Sequence, residues 1–124
     1  MLRTLLIAAG GATGSVLRYW MSNGVHVFLG RGFPYGTLAV NLLGSFIIGL
    51  LYVLLYERLE AGPEWRAFLI IGVLGGFTTF SSFSIETMNL IEAGEQLKAG
   101  INILLSVSIC ISACWLGMIW ARQL

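Results

Sequence analysis

The chain has 124 residues, a formal net charge of +1 and no aspartate; 57% of its residues are hydrophobic and 10% are charged. That balance excludes an ordinary soluble domain, in which about 25% of residues carry charge, and it excludes a basic surface for nucleic acid. It predicts an all-α membrane protein: a bilayer core about 30 Å thick takes roughly 20 apolar helical residues, so four spans use about 80 and leave only short connections. Residues 1–124 then form one domain.

The apolar runs, marked by their charged edges, predict spans at residues 4–29, 35–56, 67–91 and 99–121. Turn residues punctuate the joints: Gly30-Arg31-Gly32-Phe33-Pro34, then Glu57 to Glu64 with Gly62-Pro63, then Ala93-Gly94-Glu95. Arg3 ahead of an apolar run has the look of a signal peptide, but glycines and polar residues follow where a small-residue cleavage site belongs, so the first helix is expected to be retained.

In the first span Arg18 lies deep enough to need an explanation, since an intramembrane charge is expensive. It either snorkels to the interface or faces a polar cavity. His26, near the end of this span, reads as an interfacial residue rather than a catalytic one. The second span carries Thr37, Asn41, Ser45 and Gly49 at steps of four, hence on one helix face. Ser45 and Gly49 fit helix packing, whereas Asn41 brings two N–H donors that are costly to bury unpaired.

The third span contains Gly75-Gly76-Phe77-Thr78-Thr79-Phe80-Ser81-Ser82-Phe83-Ser84, with five hydroxyls among ten residues, followed by Glu86. Irregular backbone at membrane depth is tolerated only under protein cover or along a polar cavity. This segment is therefore expected to break the helix near Gly75 to Ser82 and to carry the function, with Glu86 beside a wet vestibule. The fourth span has Asn102, Ser106, Cys110 and Cys114 at steps of four and a second row of Ala113, Gly117 and Ala121. The first row reads equally as a polar track and as packing. The two cysteines read as small packing residues rather than as a disulfide or metal site.

With the N-terminus on one side, that side collects Arg3, Arg58, Arg66 and Arg122, and the other has Arg31 and Lys98, with Arg18 between. So small an excess of positive charge leaves orientation weakly specified. Insertion in both orientations is one expectation, a fixed orientation on few charges the other. No nucleophile–base set or carboxylate pair stands out, which argues against an enzyme. Hydroxyl and amide donors beside phenyl edges, which are electropositive, with no ring of acids, suit a small anion such as a halide.

The chain resembles the Fluc family of fluoride channels, also called CrcB, over nearly its whole length. The resemblance rests on Gly10-Gly11-Ala12-Thr13-Gly14 with Leu17-Arg18-Tyr19, on the run from Gly36 to Phe46 around Asn41, and above all on Gly75 to Ser84 with Glu86. It implies an antiparallel, dual-topology homodimer in a bacterial inner membrane, with two pores that export fluoride passively and confer fluoride resistance. It further implies that Phe80 and Phe83 touch fluoride by their ring edges, that Asn41 donates in the pore, and that Thr79 and Ser81 flank the path. Arg18 and Glu86 then belong to the vestibule, and backbone carbonyls of Gly75 and Thr78 from both subunits hold a central structural sodium ion.

One departure concerns the polar track of the fourth span. Some relatives begin it with a tyrosine where this chain has Asn102, and continue it with hydroxyls where this chain has Cys110, so Ser106 carries over more directly than either. Two other readings compete. A small four-span proton-coupled multidrug exporter wants a carboxylate deep in the first span, and none occurs there. A non-transporting anchoring subunit leaves the Thr-Ser-Phe break without a purpose.

Overall fold

The computed structural model describes all residues from Met1 to Leu124 and is helical throughout, without strands. Helix α1 spans Leu2–Leu29 and α2 spans Tyr35–Tyr52. The latter runs on as wider π-helical turns over Val53–Arg58, which the bond from Leu59 N–H to the Leu54 carbonyl closes. A third rod comprises α3 (Pro63–Arg66), a π-helical stretch over Ala67–Leu74, α4 (Gly75–Phe77) and, after a break, α5 (Phe80–Glu92). The last rod is α6, Gln96–Gln123.

Three stretches are long and apolar enough to cross a membrane: Tyr35–Arg58, Pro63–Glu92 and Gln96–Gln123. Helix α1 matches α6 in length but is diluted by Gly10, Gly11, Thr13, Gly14, Ser15, Arg18, Ser22 and Asn23. The predicted spans sit inside these rods, each rod being longer by a few residues. The predicted connection at residues 57–64 is shorter than its charges implied, because helix continues through Arg58 and resumes at Pro63, which has no N–H to lose in a first turn.

The chain folds up and down, with α2 packed chiefly on α6 and α1 on the π-helical stretch before the break. Small residues allow both crossings. A methyl at Gly14 would strike the Val73 carbonyl, one at Gly49 would strike the Cys114 carbonyl, and one at Gly117 would strike that of Phe46. Large apolar side chains point outward instead: Leu5, Trp20, Ile71, Leu104, Ile111 and Trp115 are all more than half exposed. Helices in lipid gain nothing by hiding leucine from it, so they associate through close backbone approach and polar links. The row Ala113, Gly117, Ala121 is buried, as a packing row requires.

At one end the Arg122 guanidinium donates to both carboxylate oxygens of Glu57, at 3.2 and 3.1 Å, and Arg58 donates to the Arg122 carbonyl. Arg66 lies 4.4 Å over the Tyr56 ring. These contacts involve Arg58, Arg66 and Arg122, three of the four arginines expected on one side. At the other end Lys98 donates to the Gly32 carbonyl at 3.2 Å and pairs with Glu95.

Candidate functional site

The break is narrower than the sequence predicts: only Thr78 and Thr79 leave helical geometry, with φ/ψ of −83°/155° and −150°/113°. Local chemistry restarts the helix at once. Thr79 is the N-cap of α5, its Oγ1 accepting from the Ser82 N–H at 3.1 Å and donating to Ser82 Oγ at 3.0 Å. Ser81 Oγ lies 3.3 Å from the same hydroxyl.

Breaking a helix frees backbone groups, and Asn41 on α2 takes up two of them. Its Nδ2 donates to the Thr79 carbonyl at 2.9 Å and its Oδ1 accepts from the Thr79 N–H at 2.7 Å. In an unbroken helix the Thr79 N–H would bond to the Gly75 carbonyl and the Ser82 N–H to that of Thr78. Both donors are diverted to side chains, so the ladder partners of the Gly75 and Thr78 carbonyls are engaged elsewhere.

A cavity of about 460 Å3 lies against this break. Asn41, Ser45, Gly75, Thr78, Thr79, Phe80, Phe83, Ser106 and Cys110 line it, so α2, α5 and α6 all contribute. The Phe80 and Phe83 rings are 5.2 Å apart at a 48° tilt. Phe83 is buried, whereas Phe80 is 76% exposed and turns its ring outward from the chain.

A second cavity, about 230 Å3, holds Arg18, Ser15, Ser22, Asn23, Thr37, Ser82 and Glu86. Thr79 is the one residue on the walls of both. Arg18 therefore faces a polar space, and it forms no ion pair with Glu86 across it. One oxygen of Glu86 accepts from the Thr37 hydroxyl at 2.6 Å, while the other is buried without a partner. Glu86 also borders a third cavity, about 300 Å3, with His26, Arg31 and Asn89 near the loop. His26 Nδ1 is 3.0 Å from the Gly30 carbonyl, at a helix end as expected.

Of the residues singled out from sequence, Asn41, Thr79, Phe80, Phe83 and Ser106 meet at the first cavity together with Gly75 and Thr78, and Arg18 meets Glu86 at the second. Asn102 does not join them. It is 1% exposed, wedged between α5 and α6, and its Nδ2 donates to Thr87 Oγ1 at 2.9 Å. Asn41 differs from a free donor as well, since one of its two N–H groups is committed to Thr79 and one remains. Sequence reasoning missed the Thr37–Glu86 link, although Thr37 stood on the right face of α2, because a bond across 49 positions leaves no local signal. It also passed over Ser82, whose N–H three residues after Thr79 fits a cap.

A family model described as "CrcB-like protein, Camphor Resistance (CrcB)" matches residues 5–118. Among curated relatives, the "Fluoride-specific ion channel FluC" of Coxiella burnetii strain Dugway is 51% identical over 124 residues, covering 99% of this chain and 100% of its own. The protein of the same name from Geobacter sulfurreducens is 48% identical over 124 residues, covering both chains fully. That of Methylococcus capsulatus is 50% identical over 118 residues, and the chain spans about half of its length, 52%. The chain belongs to the CrcB family.

Proposed function

We propose that this protein is a fluoride-selective channel that lets fluoride leave the cytoplasm down its gradient, not an enzyme. The observation that carries the reading is the juxtaposition of Phe80 and Phe83 with hydroxyl and amide donors on one cavity wall. Fluoride is small and holds water tightly, so a path must replace that water contact by contact and bind weakly enough at each to release it. Phenyl edges offer diffuse positive potential without a full charge, and the spare Asn41 N–H and the Ser106 hydroxyl, held only by a 3.4 Å bond, offer donors. The names of the relatives point the same way.

The route passes between the two cavities that share Thr79 as a wall residue. Arg18 draws anions into the second cavity, and Thr79, common to both walls, forms the throat through which they reach the phenylalanine pair. Glu86 holds Thr37 and orients the polar wall there. Ser81 lines neither cavity and meets the path only through the Thr79 hydroxyl, 3.3 Å away.

All four rods cross a bacterial inner membrane in this reading, α1 included. Two chains pair antiparallel as a homodimer of dual topology. The outward ring of Phe80 supports the pairing, since a single chain leaves this path residue 76% exposed and a second copy can close it. At the two-fold axis, the carbonyls of Gly75 and Thr78 from both chains hold a structural sodium ion. The fit rests on their diverted ladder partners and on their being hard oxygen donors; no cluster of His, Cys, Asp or Glu competes as a metal site. Such an ion supplies positive charge where carbonyl dipoles crowd.

Proteoliposomes loaded with fluoride or with chloride test the reading. Fluoride should escape and chloride should stay, and Phe83→Ile, which keeps an apolar side chain but removes the ring edge, should abolish fluoride escape from correctly assembled protein. Equal chloride and fluoride fluxes would refute the selectivity.

A further inference from the structure

We infer that Asn102 is a positioning residue that fixes Phe83 and Ser106 relative to one another from behind the wall of the path. The inference rests on the fluoride-channel reading of those two residues. Asn102 touches neither the cavity nor solvent, being 1% exposed. Yet it is bonded toward two wall residues on two different helices. Through Nδ2 it donates to Thr87 Oγ1 at 2.9 Å, and Thr87 Oγ1 in turn donates to the carbonyl of Phe83 at 2.7 Å. Through Oδ1 it faces the Ser106 hydroxyl at 3.4 Å, one helical turn along α6.

The directions of these bonds are constrained. Thr87 spends its single proton on the Phe83 carbonyl, so its lone pairs face the only donor nearby, the Asn102 amide. No other side-chain hydrogen bond joins α5 to α6. With the N-terminal end of α5 clamped by Asn41 at Thr79, the Asn102–Thr87 bond fixes the rotation of α5 about its axis two turns later, and Phe83 lies between the two attachments. Ser106 donates its single proton along that long bond to Asn102 Oδ1, so the contact holds the hydroxyl near the path at rest and is broken when the proton turns toward a passing anion.

Single channels in planar bilayers give the test, because conductance per open channel and the fluoride-to-chloride permeability ratio do not depend on how much protein folds. Asn102→Leu should lower unitary fluoride conductance about tenfold, the factor one misplaced hydrogen-bonded contact is able to give, and should lower the permeability ratio. Thr87→Val, similar in shape but without the hydroxyl, should do the same, and Thr87→Ser should restore native values. The double variant should be no worse than the worse single, since either change already breaks the link. Native conductance and selectivity in Asn102→Leu or Thr87→Val overturns the inference, as does full additivity. Phe83→Ile run in parallel tells the two failures apart: if it leaves fluoride current intact, the path itself is misassigned and this inference falls with it; if it abolishes current while Asn102→Leu stays native, only the role of Asn102 falls.

Discussion

Asn41 pairs with Thr79 as one peptide pairs with another, its amide donating to the Thr79 carbonyl at 2.9 Å and its carbonyl accepting from the Thr79 N–H at 2.7 Å. A side chain of α2 thus replaces the helical turn that the third rod gives up. In lipid no water is at hand to do this, so the break and the carboxamide opposite it are one device.

Asn41→Ala should therefore leave two backbone groups without partners, each costing about 1–3 kcal/mol. The thermal midpoint in detergent should fall and fluoride efflux should drop at least about tenfold. Asn41→Asp keeps an acceptor for the Thr79 N–H but sets a carboxylate against its carbonyl and against the anion; efflux should vanish while folded protein remains. A fluoride electrode reads both, and native efflux in either variant would break the assignment.

The close approach of α1 to the third rod predicts a different failure. A methyl at Gly14 would collide with the Val73 carbonyl and sit 2.8 Å from the Phe77 amide nitrogen. Backbone cannot swing aside as a side chain does, so Gly14→Ala should cost roughly 1–3 kcal/mol, the usual range for overpacking. Size-exclusion yield and melting temperature should both fall. Gly24→Ala is the control, since nothing lies within 4 Å of a Cβ there, and it should change neither.

Orientation is open to direct measurement. Arg58 and Arg122 meet at one end with Arg66 near, and Lys98 reaches the Gly32 loop at the other, so neither end carries a commanding excess. C-terminal fusions to a reporter active in the cytoplasm and to one active outside it should both give signal. Two or three lysines added to one connection should then fix the topology and reduce efflux, which a partner fixed in the opposite sense should restore. A single reporter signal from the unmodified chain would rule out dual insertion.

Exchange of sodium for a larger organic cation tests the carbonyls of Gly75 and Thr78. Fluoride flux should slow or stop after prolonged removal and return when sodium is restored, with its direction unchanged. Flux indifferent to sodium would mean that those carbonyls are satisfied without it.

Much of this was legible in the sequence. The four rods follow from apolar runs between charged edges, and the break follows from ten residues too polar for a plain span. Its extent did not follow, because Thr79 caps a new helix so efficiently that only two residues depart from helical geometry. Spacing at steps of four placed Asn102 in line with Ser106, yet a row on one helix does not say how far around the neighbouring helix reaches; α5 covers Asn102 through Thr87 and leaves Ser106 on the cavity. The outward turn of Phe80 had no local signal either, since alternation within a short helix cannot tell a wall facing its own chain from one facing another.

The third rod is fastened in two unlike ways. Before the break, glycine backbones of α1 rest directly on residues 68–77; after it, hydrogen bonds from Asn41 and Asn102 hold the rod to α2 and α6. The two halves therefore answer to different changes: a single carbon atom added to a glycine of α1 disturbs the half before the break, whereas loss of a single amide disturbs the half that bears Phe80 and Phe83.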